Sequence, residues 1–346
     1  MVGDATIGGM DRPGVREQGG VLSSVVAEPP ATRVLVLGGS GFIGAEVVTA
    51  ALDSGFDVSV LARHRPSSVA APWSRQVDWH VGDATVRADV TRALDGVDCV
   101  VDAVACPPPA ADAAISGGRA LPDGPALTLL LEVLRGAPDV GLTYLSSGGA
   151  VYGDLGPRPV AEGDSCTPIS RYGKFKLRAE HAIRTHATRF GTPTRIVRVA
   201  NAYGPSQSSS DGQGLVAACM DAAIGDRRVT VFGDGSGMRD YVAVADVASA
   251  VMGLPPGGSG PCTVNVGSGT GHDVRQVIDL VADVAGERLD VTWAPSRPQD
   301  VLSIVLDTRL LRDLVPWDPM PLADGLAAAW DQRQRTTGRP VGQRTA

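Results

Sequence analysis

Val34-Leu-Val-Leu-Gly-Gly-Ser-Gly-Phe-Ile-Gly44 is the stretch that decides the fold. Residues 34–37 read as a short buried strand, glycines follow at Gly38, Gly41 and Gly44, and residues 45–53 carry a helical pattern. Strand, glycine turn and helix in this order form a dinucleotide-binding fingerprint; without that context the same glycines would mark only a tight βα turn. Gly38 permits the turn, Gly41 lets the backbone approach a diphosphate, and Gly44 lets helix and strand pack closely. The diphosphate is then expected at the helix N-terminus beside Phe42 and Ile43, where N–H groups without helical partners favour an anion.

Outward from this turn, short β-branched runs alternate with longer helical patterns. Strands are expected at 58–61, 77–81, 97–104, 142–146 and 195–199, with helices at 85–94, 125–135 and 171–190. That alternation predicts an α/β fold, a Rossmann-type doubly wound parallel sheet, with a smaller C-terminal α/β substrate-binding region. Residues 32–200 form the expected dinucleotide-binding domain. Residues 201–332 form mainly the substrate-binding region, with some return to the first domain. Its expected pieces are a polar loop over 204–214, a helix at 215–224, a strand at 229–232 and further segments at 273–285 and 322–330. The Gly- and Pro-rich residues 1–31 read as a disordered tail, and the polar residues from 331, the tail proper at 333–346, as loose.

The 346 residues are 43% hydrophobic and 20% charged, ordinary globular usage with ample material for a core. A net charge of −7 argues against a nucleic-acid-binding surface, which needs a basic face. No apolar run reaches the ~18 residues of a membrane span, and the N-terminus lacks a secretory pattern, so no membrane partner is expected and the cytoplasm is the expected compartment. Five scattered cysteines without a C-x-x-C pair read as buried thiols, and the five histidines form no ligand pattern, so no metal is expected.

Two further motifs carry chemistry. At the end of the second strand, Leu61-Ala-Arg-His-Arg65 has no carboxylate for a ribose hydroxyl; Arg63 there suits a 2′-phosphate, so the cofactor is NAD or NADP, with NADP favoured. Asp83, ending the third strand, is an expected adenine contact. Tyr172 and Lys176 fall at i and i+4 on one helix face, where the ammonium favours the phenolate and lets Tyr172 exchange a proton with a hydroxyl.

Taken with Ser146-Ser-Gly-Gly-Ala-Val-Tyr-Gly153, Arg198-Val-Ala-Asn-Ala-Tyr-Gly-Pro205, Val231-Phe-Gly-Asp-Gly-Ser-Gly-Met-Arg-Asp-Tyr241, Asn265-Val-Gly267 and Arg297-Pro-Gln-Asp300, these motifs resemble the extended short-chain dehydrogenase/reductases. The resemblance is to their NAD(P)-dependent nucleotide-sugar epimerase/dehydratase group and spans about residues 33–330. It implies cofactor contacts from Ala84, Ala103, Val104 and Ala105, and from Tyr172 and Lys176 themselves. It implies substrate contacts from Ser147, Tyr172, Asn201, Phe232, Asp300 and a diphosphate clamp of Arg239 and Arg297, guanidinium being suited to phosphate oxygens. Local ion pairs, Arg239 with Asp240 and Arg297 with Asp300, are the plainer alternative.

Two positions depart from the pattern. Relatives carry a Ser or Thr where this chain has Gly148, leaving Ser147 as the expected replacement. Gly149 and Ala150 stand where 4,6-dehydratases carry an Asp-Glu pair, which argues against dehydration, and the missing Glu also argues against sugar-acid decarboxylation. The resemblance therefore implies a nucleotide-sugar 4-epimerase with Tyr172 as proton acceptor, Lys176 as its activator and Ser147 beside them. A nucleotide-sugar 4-ketoreductase using NADPH and a non-catalytic dinucleotide-binding regulator are the rivals. The group's habit of pairing two helices implies a homodimer through 125–135 and 171–190.

Overall fold

The computed structural model describes residues 32–66, 71–104, 124–209, 214–225, 228–254, 263–297 and 301–337. In chain order the first half runs β1 (Arg33–Leu37), α1 (Phe42–Asp53), β2 (Asp57–Ala62), β3 (Asp78–Val81), α2 (Arg87–Ala93), β4 (Cys99–Asp102), α3 (Pro125–Leu134), β5 (Gly141–Ser147), α4 (Gly148–Val151), α5 (Arg171–Phe190) and β6 (Thr194–Val199). There follow β7 (Asn201–Tyr203), α6 (Leu215–Gly225), β8 (Val229–Phe232), β9 (Met238–Ala243), α7 (Val244–Gly253), β10 (Thr263–Val266), β11 (Gly271–Asp273), α8 (Val274–Ala285), β12 (Val291–Ala294), β13 (Ser303–Ile304), α9 (Arg309–Leu314) and α10 (Leu322–Thr337).

Seven parallel strands form the main sheet in the order β10-β6-β5-β4-β1-β2-β3. Apart from the partly exposed edge strand β3, its strands are largely buried on both faces, as a parallel sheet covered by helices requires. Along β1 the side chains alternate: Val34 and Val36 pack toward α1 and α7, while Leu35 and Leu37 pack toward α2, α3 and α5. Order reverses between β1 and β4, and this switch point is where a doubly wound sheet opens a crevice for a ligand.

Smaller pieces follow. Strand β9 pairs with β7, β11 and β13, and β8 pairs with β12. Helices α6, α8 and α10 share a third core with β8 and β9, built from residues such as Met220, Val277 and Leu326. Helix α8 begins with a reciprocal cap in which Asp273 accepts from the Gln276 amide and the Gln276 side chain accepts from the Asp273 amide.

Two sequence expectations are corrected. The segment from residue 331 is not loose throughout, because α10 continues to Thr337; Arg333 ties it to Asp221 and to the carbonyls of Pro205 and Gln207. Asn201–Tyr203, for which no element was expected, forms a short strand. Of the thiols expected to be buried, Cys99 and Cys219 are, Cys166 is only half-buried, and Cys106 and Cys262 lie outside the described residues.

Candidate active site

The glycine turn sits at the switch point. Gly38 has φ +77°, and a Cβ there would stand 2.8 Å from the Ala103 carbonyl oxygen, so the end of β1 lies against the end of β4. A Cβ on Gly44 would fall 2.2 Å from the Gly38 oxygen, which leaves no space between turn and helix. Helix α1 begins at Phe42 behind Gly41, whose position supplies no side-chain cap, so the first-turn N–H groups, Ile43 included, face the crevice without a side-chain acceptor. A dinucleotide fits these residues: the cradle is bare backbone where a phosphate would rest, and Ala103 and Val104 border it. Ala105 lies outside the described residues.

At the end of β2 the two arginines diverge. Arg65 donates to the Ser74 carbonyl at 2.8 Å and lies over the Trp79 ring at 5.6 Å, a packing role. Arg63 is exposed and close enough to Asp83 to help hold its carboxyl below the usual range, after the larger effect of two hydrogen bonds from Thr85. One oxygen of the expected adenine contact is thus occupied by Thr85, at 2.8 Å from both its amide and its hydroxyl, and Ala84 lies within that turn.

Helix α5 starts where Ser170 accepts from the Gly173 amide at 3.0 Å and stops at Gly191 in the left-handed region. A Cβ on Gly173 would sit 2.3 Å from the Ala150 oxygen, so α5 presses directly on the short helix α4. This close approach sets the first turn of α5, which carries Tyr172, against the α4 turn. One turn on, Lys176 is buried; its Nζ donates to the Leu145 carbonyl at 2.8 Å and lies 4.7 Å from the Tyr144 ring centre and 6.0 Å from that of Tyr172. Phenol and ammonium therefore share one corner, as their spacing implied.

The two serines of β5 divide their work. Ser146 is buried and donates to Glu180 Oε1 at 2.6 Å, whereas half-buried Ser147 precedes α4 without capping it. Glu180 also receives Arg198 Nε at 3.0 Å and Nη2 at 2.7 Å. Burial alone would raise the Glu180 carboxyl; Arg198, Ser146 and Arg184 outweigh it and hold it below the ordinary range. Arg198 stacks on Tyr152, whose hydroxyl donates to Asn265 Oδ1 at 2.6 Å. This network locks β5, α5, β6 and β10 behind the site. Sequence reasoning quoted Ser146, Tyr152, Arg198 and Asn265 within motifs but saw none of their partners.

Gly148 is buried against Leu306: a Cβ there would meet Leu306 Cδ1 at 2.6 Å and the Arg198 carbonyl at 3.2 Å. The hydroxyl missing from this position thus has no space waiting for it. Next to it, a Cβ on Gly149 would meet Asn201 Oδ1 at 3.1 Å, which brings Asn201 to the same corner as Ser147.

The clamp candidates stand on the C-terminal pieces. Arg297 lies over the exposed Phe232 ring at 4.2 Å, while Asp300 lies outside the described residues. Arg239 does not pair with Asp240. Its guanidinium donates to the Met238 carbonyl at 2.8 Å, the Leu302 carbonyl at 3.3 Å and the Val301 carbonyl. Asp240 instead points inward, accepting from Ser268 N (2.8 Å) and Oγ (2.7 Å), Gly269 N (3.1 Å) and Leu306 N (3.2 Å). Burial raises its carboxyl, and those donors oppose the rise. Through Leu306, Asp240 holds the residue that fills the space beside Gly148.

The family model of the NAD dependent epimerase/dehydratase family matches residues 34–267. This chain belongs to that family. Among family relatives it resembles, a UDP-glucose 4-epimerase of Azospirillum brasilense is 29% identical over 90% of this chain and 94% of its own length. The structure of a Thermotoga maritima UDP-glucose 4-epimerase with UDP-glucose superposes with a TM-score of 0.81 at 27% identity, covering 88% of this chain and 100% of that one. A Thermus thermophilus UDP-glucose 4-epimerase in complex with NAD gives 0.78 at 29% identity, over 88% and 99% of the two chains. As a family member the chain has the expected parallel Rossmann-type sheet. Among the described residues no helix is long and apolar enough to cross a membrane.

Proposed function

We propose that this chain is a nucleotide-sugar 4-epimerase that acts on a UDP-hexose. The observation that carries the reading is the Tyr172/Lys176 corner, pressed by Gly173 against the α4 turn beside Ser147. The Gly38–Gly44 cradle with Ala103 and Val104 would hold NAD(P), which when bound would supply reversible hydride transfer at carbon 4 of the sugar. Tyr172 takes the hydroxyl proton as the bond to carbon 4 is oxidised and gives it back on reduction; Lys176 stabilises the phenolate. Ser147 and Asn201 orient the sugar, Phe232 borders it, and Arg239 and Arg297 hold the diphosphate while the sugar turns. Exposed Arg63 supports use of NADP as well as NAD.

The assembly proposed is a homodimer through α3 and α5. An open groove of about 930 Å³ runs along their outer faces, with Leu127, Leu131 and Phe175 among its apolar walls. The free thiols Cys99, Cys166 and Cys219 suit a reducing compartment such as the cytoplasm.

Incubation with UDP-, dTDP- and GDP-hexoses, with NAD or NADP, tests the reading. Inversion at carbon 4 without net cofactor turnover is expected, falling about 100- to 10,000-fold in Tyr172→Phe. The filled space at Gly148 favours one second reading, a 4-ketoreductase, which needs no hydroxyl there to hold a sugar through two orientations. Stoichiometric oxidation of NADPH by a keto-sugar, with no inversion, would establish it instead.

A further inference from the structure

Asp102 is a buried carboxylate to which the reaction above gives no part. It ends β4, the strand beside the glycine turn, and is 4% exposed. In register it lies between Leu37 of β1 and Tyr144 of β5. Alternation along β4 settles which face it uses. Cys99 and Val101 pack toward α1 and α7, whereas Val100 packs toward α3 and α5; Asp102, two residues on, shares the face of Val100. That is the face on which Lys176 descends to Leu145 O, one residue beyond the Tyr144 that pairs with Asp102. One oxygen of Asp102 accepts from the Val104 amide at 3.0 Å, which fixes the carboxyl in place.

A carboxyl this deep in the sheet has few ways to remain ionised. Burial raises it above the ordinary carboxylate range; the Val104 amide and the Lys176 charge oppose the rise. Among the described residues the titratable groups at this corner are Asp102 from β4, Tyr144 from β5, and Tyr172, Lys176 and, one turn on, Glu180 from α5. Glu180 is already committed to Arg198 and Ser146. Neither α4 nor the C-terminal end of β1 contributes a titratable group.

We propose that Asp102 is a positioning residue that acts through Lys176: its carboxylate holds the ammonium beneath Tyr172 and sets the pH range in which the pair works. A negative charge at this place makes both the phenol and the ammonium harder to deprotonate. Its removal moves both titrations toward acid. The proposal rests on the Tyr172/Lys176 reading given above.

The test is an ultraviolet titration of the Tyr172 phenolate in the full chain, isolated by difference against Tyr172→Phe. It is run in the native background and in Asp102→Asn, which keeps the shape and an acceptor for Val104. A shift of the midpoint toward acid by about one pH unit is expected, with both limbs of the pH–rate profile moving the same way. Asp102→Ser, smaller and also uncharged, should reproduce it. An unmoved midpoint in the folded variants overturns the proposal. Failure of both variants to fold overturns it too, because the carboxylate would then serve the sheet rather than Lys176. If Tyr172→Phe retains full turnover, the proton-transfer reading fails by itself, and the phenolate titration still decides whether Asp102 carries charge.

Discussion

Leu306 occupies the space into which a side chain at Gly148 would project, its Cδ1 standing 2.6 Å from where the first side-chain atom would be. Gly148→Ser, which adds the hydroxyl that the family resemblance implies there, is therefore an overpacking change, expected to cost about 1–3 kcal/mol. Leu306→Ala alone should cost about 2–5 kcal/mol, since Leu306 is almost wholly buried. In the double variant the losses should fall short of their sum by about 1 kcal/mol or more. Urea denaturation of the four proteins measures this; simple additivity would remove Leu306 as the cause.

Glu180→Gln leaves Arg198 buried without its counter-charge and is expected to cost about 3–5 kcal/mol at neutral pH. The folded carboxyl lies below its ordinary value, so its contribution is complete above about pH 4.3, the unfolded value, and is lost as pH falls through the lower folded one. The stability gap between native and variant proteins should therefore be constant from neutral pH down to about 5 and close below 4. A gap that instead closed as pH rose toward 8 would contradict the ion pair.

Arg63→Ala should weaken NADP by about 10- to 100-fold, the worth of a charge-assisted hydrogen bond to the 2′-phosphate, and leave NAD within about threefold. Equilibrium binding of both dinucleotides measures the ratio. Equal losses for the two would place Arg63 away from the 2′ position.

Arg297→Ala should raise KM for the nucleotide-sugar by about 10- to 100-fold with a small change in kcat, because a diphosphate contact is the same in ground and transition states. Arg239→Ala carries an additional stability loss, since its guanidinium also closes over the carbonyls of Val301 and Leu302. A fall in kcat alone at Arg297 would refute the clamp.

What the sequence made legible was local. Gly38, Gly41 and Gly44 declare themselves because strand, turn and helix are contiguous, and Tyr172 and Lys176 because one helical turn separates them. The segment read from Asp273 began one residue before α8, on the capping residue itself. By contrast, α7 escaped because Ala243 offers no side-chain cap to mark where β9 ends and the helix begins. The buried polar groups were out of reach for a different reason: Ser146 meets Glu180 across 34 residues, and Asp240 meets Leu306 across 66. No spacing rule joins such pairs, and the ion pair that adjacency offered as the plainer alternative at Asp240 does not form, because Arg239 turns away from it.

The order of the main sheet bears on how the protein is made. Strand β10, residues Thr263–Val266, is one of its two edge strands, laid against β6. A nascent chain that has released only its first 200 residues holds the dinucleotide cradle already, yet offers the flank of β6 as an open template for any other extended segment. The network behind the Tyr172/Lys176 corner waits as well, because Asn265, the partner of Tyr152, is carried on that late strand. During synthesis, the glycine cradle can form before the network behind the Tyr172/Lys176 corner is complete, by some sixty-five residues of translation, roughly 3–13 s at typical elongation rates. A fragment ending near residue 200 is thus expected to be a sticky half-sheet rather than a free-standing module.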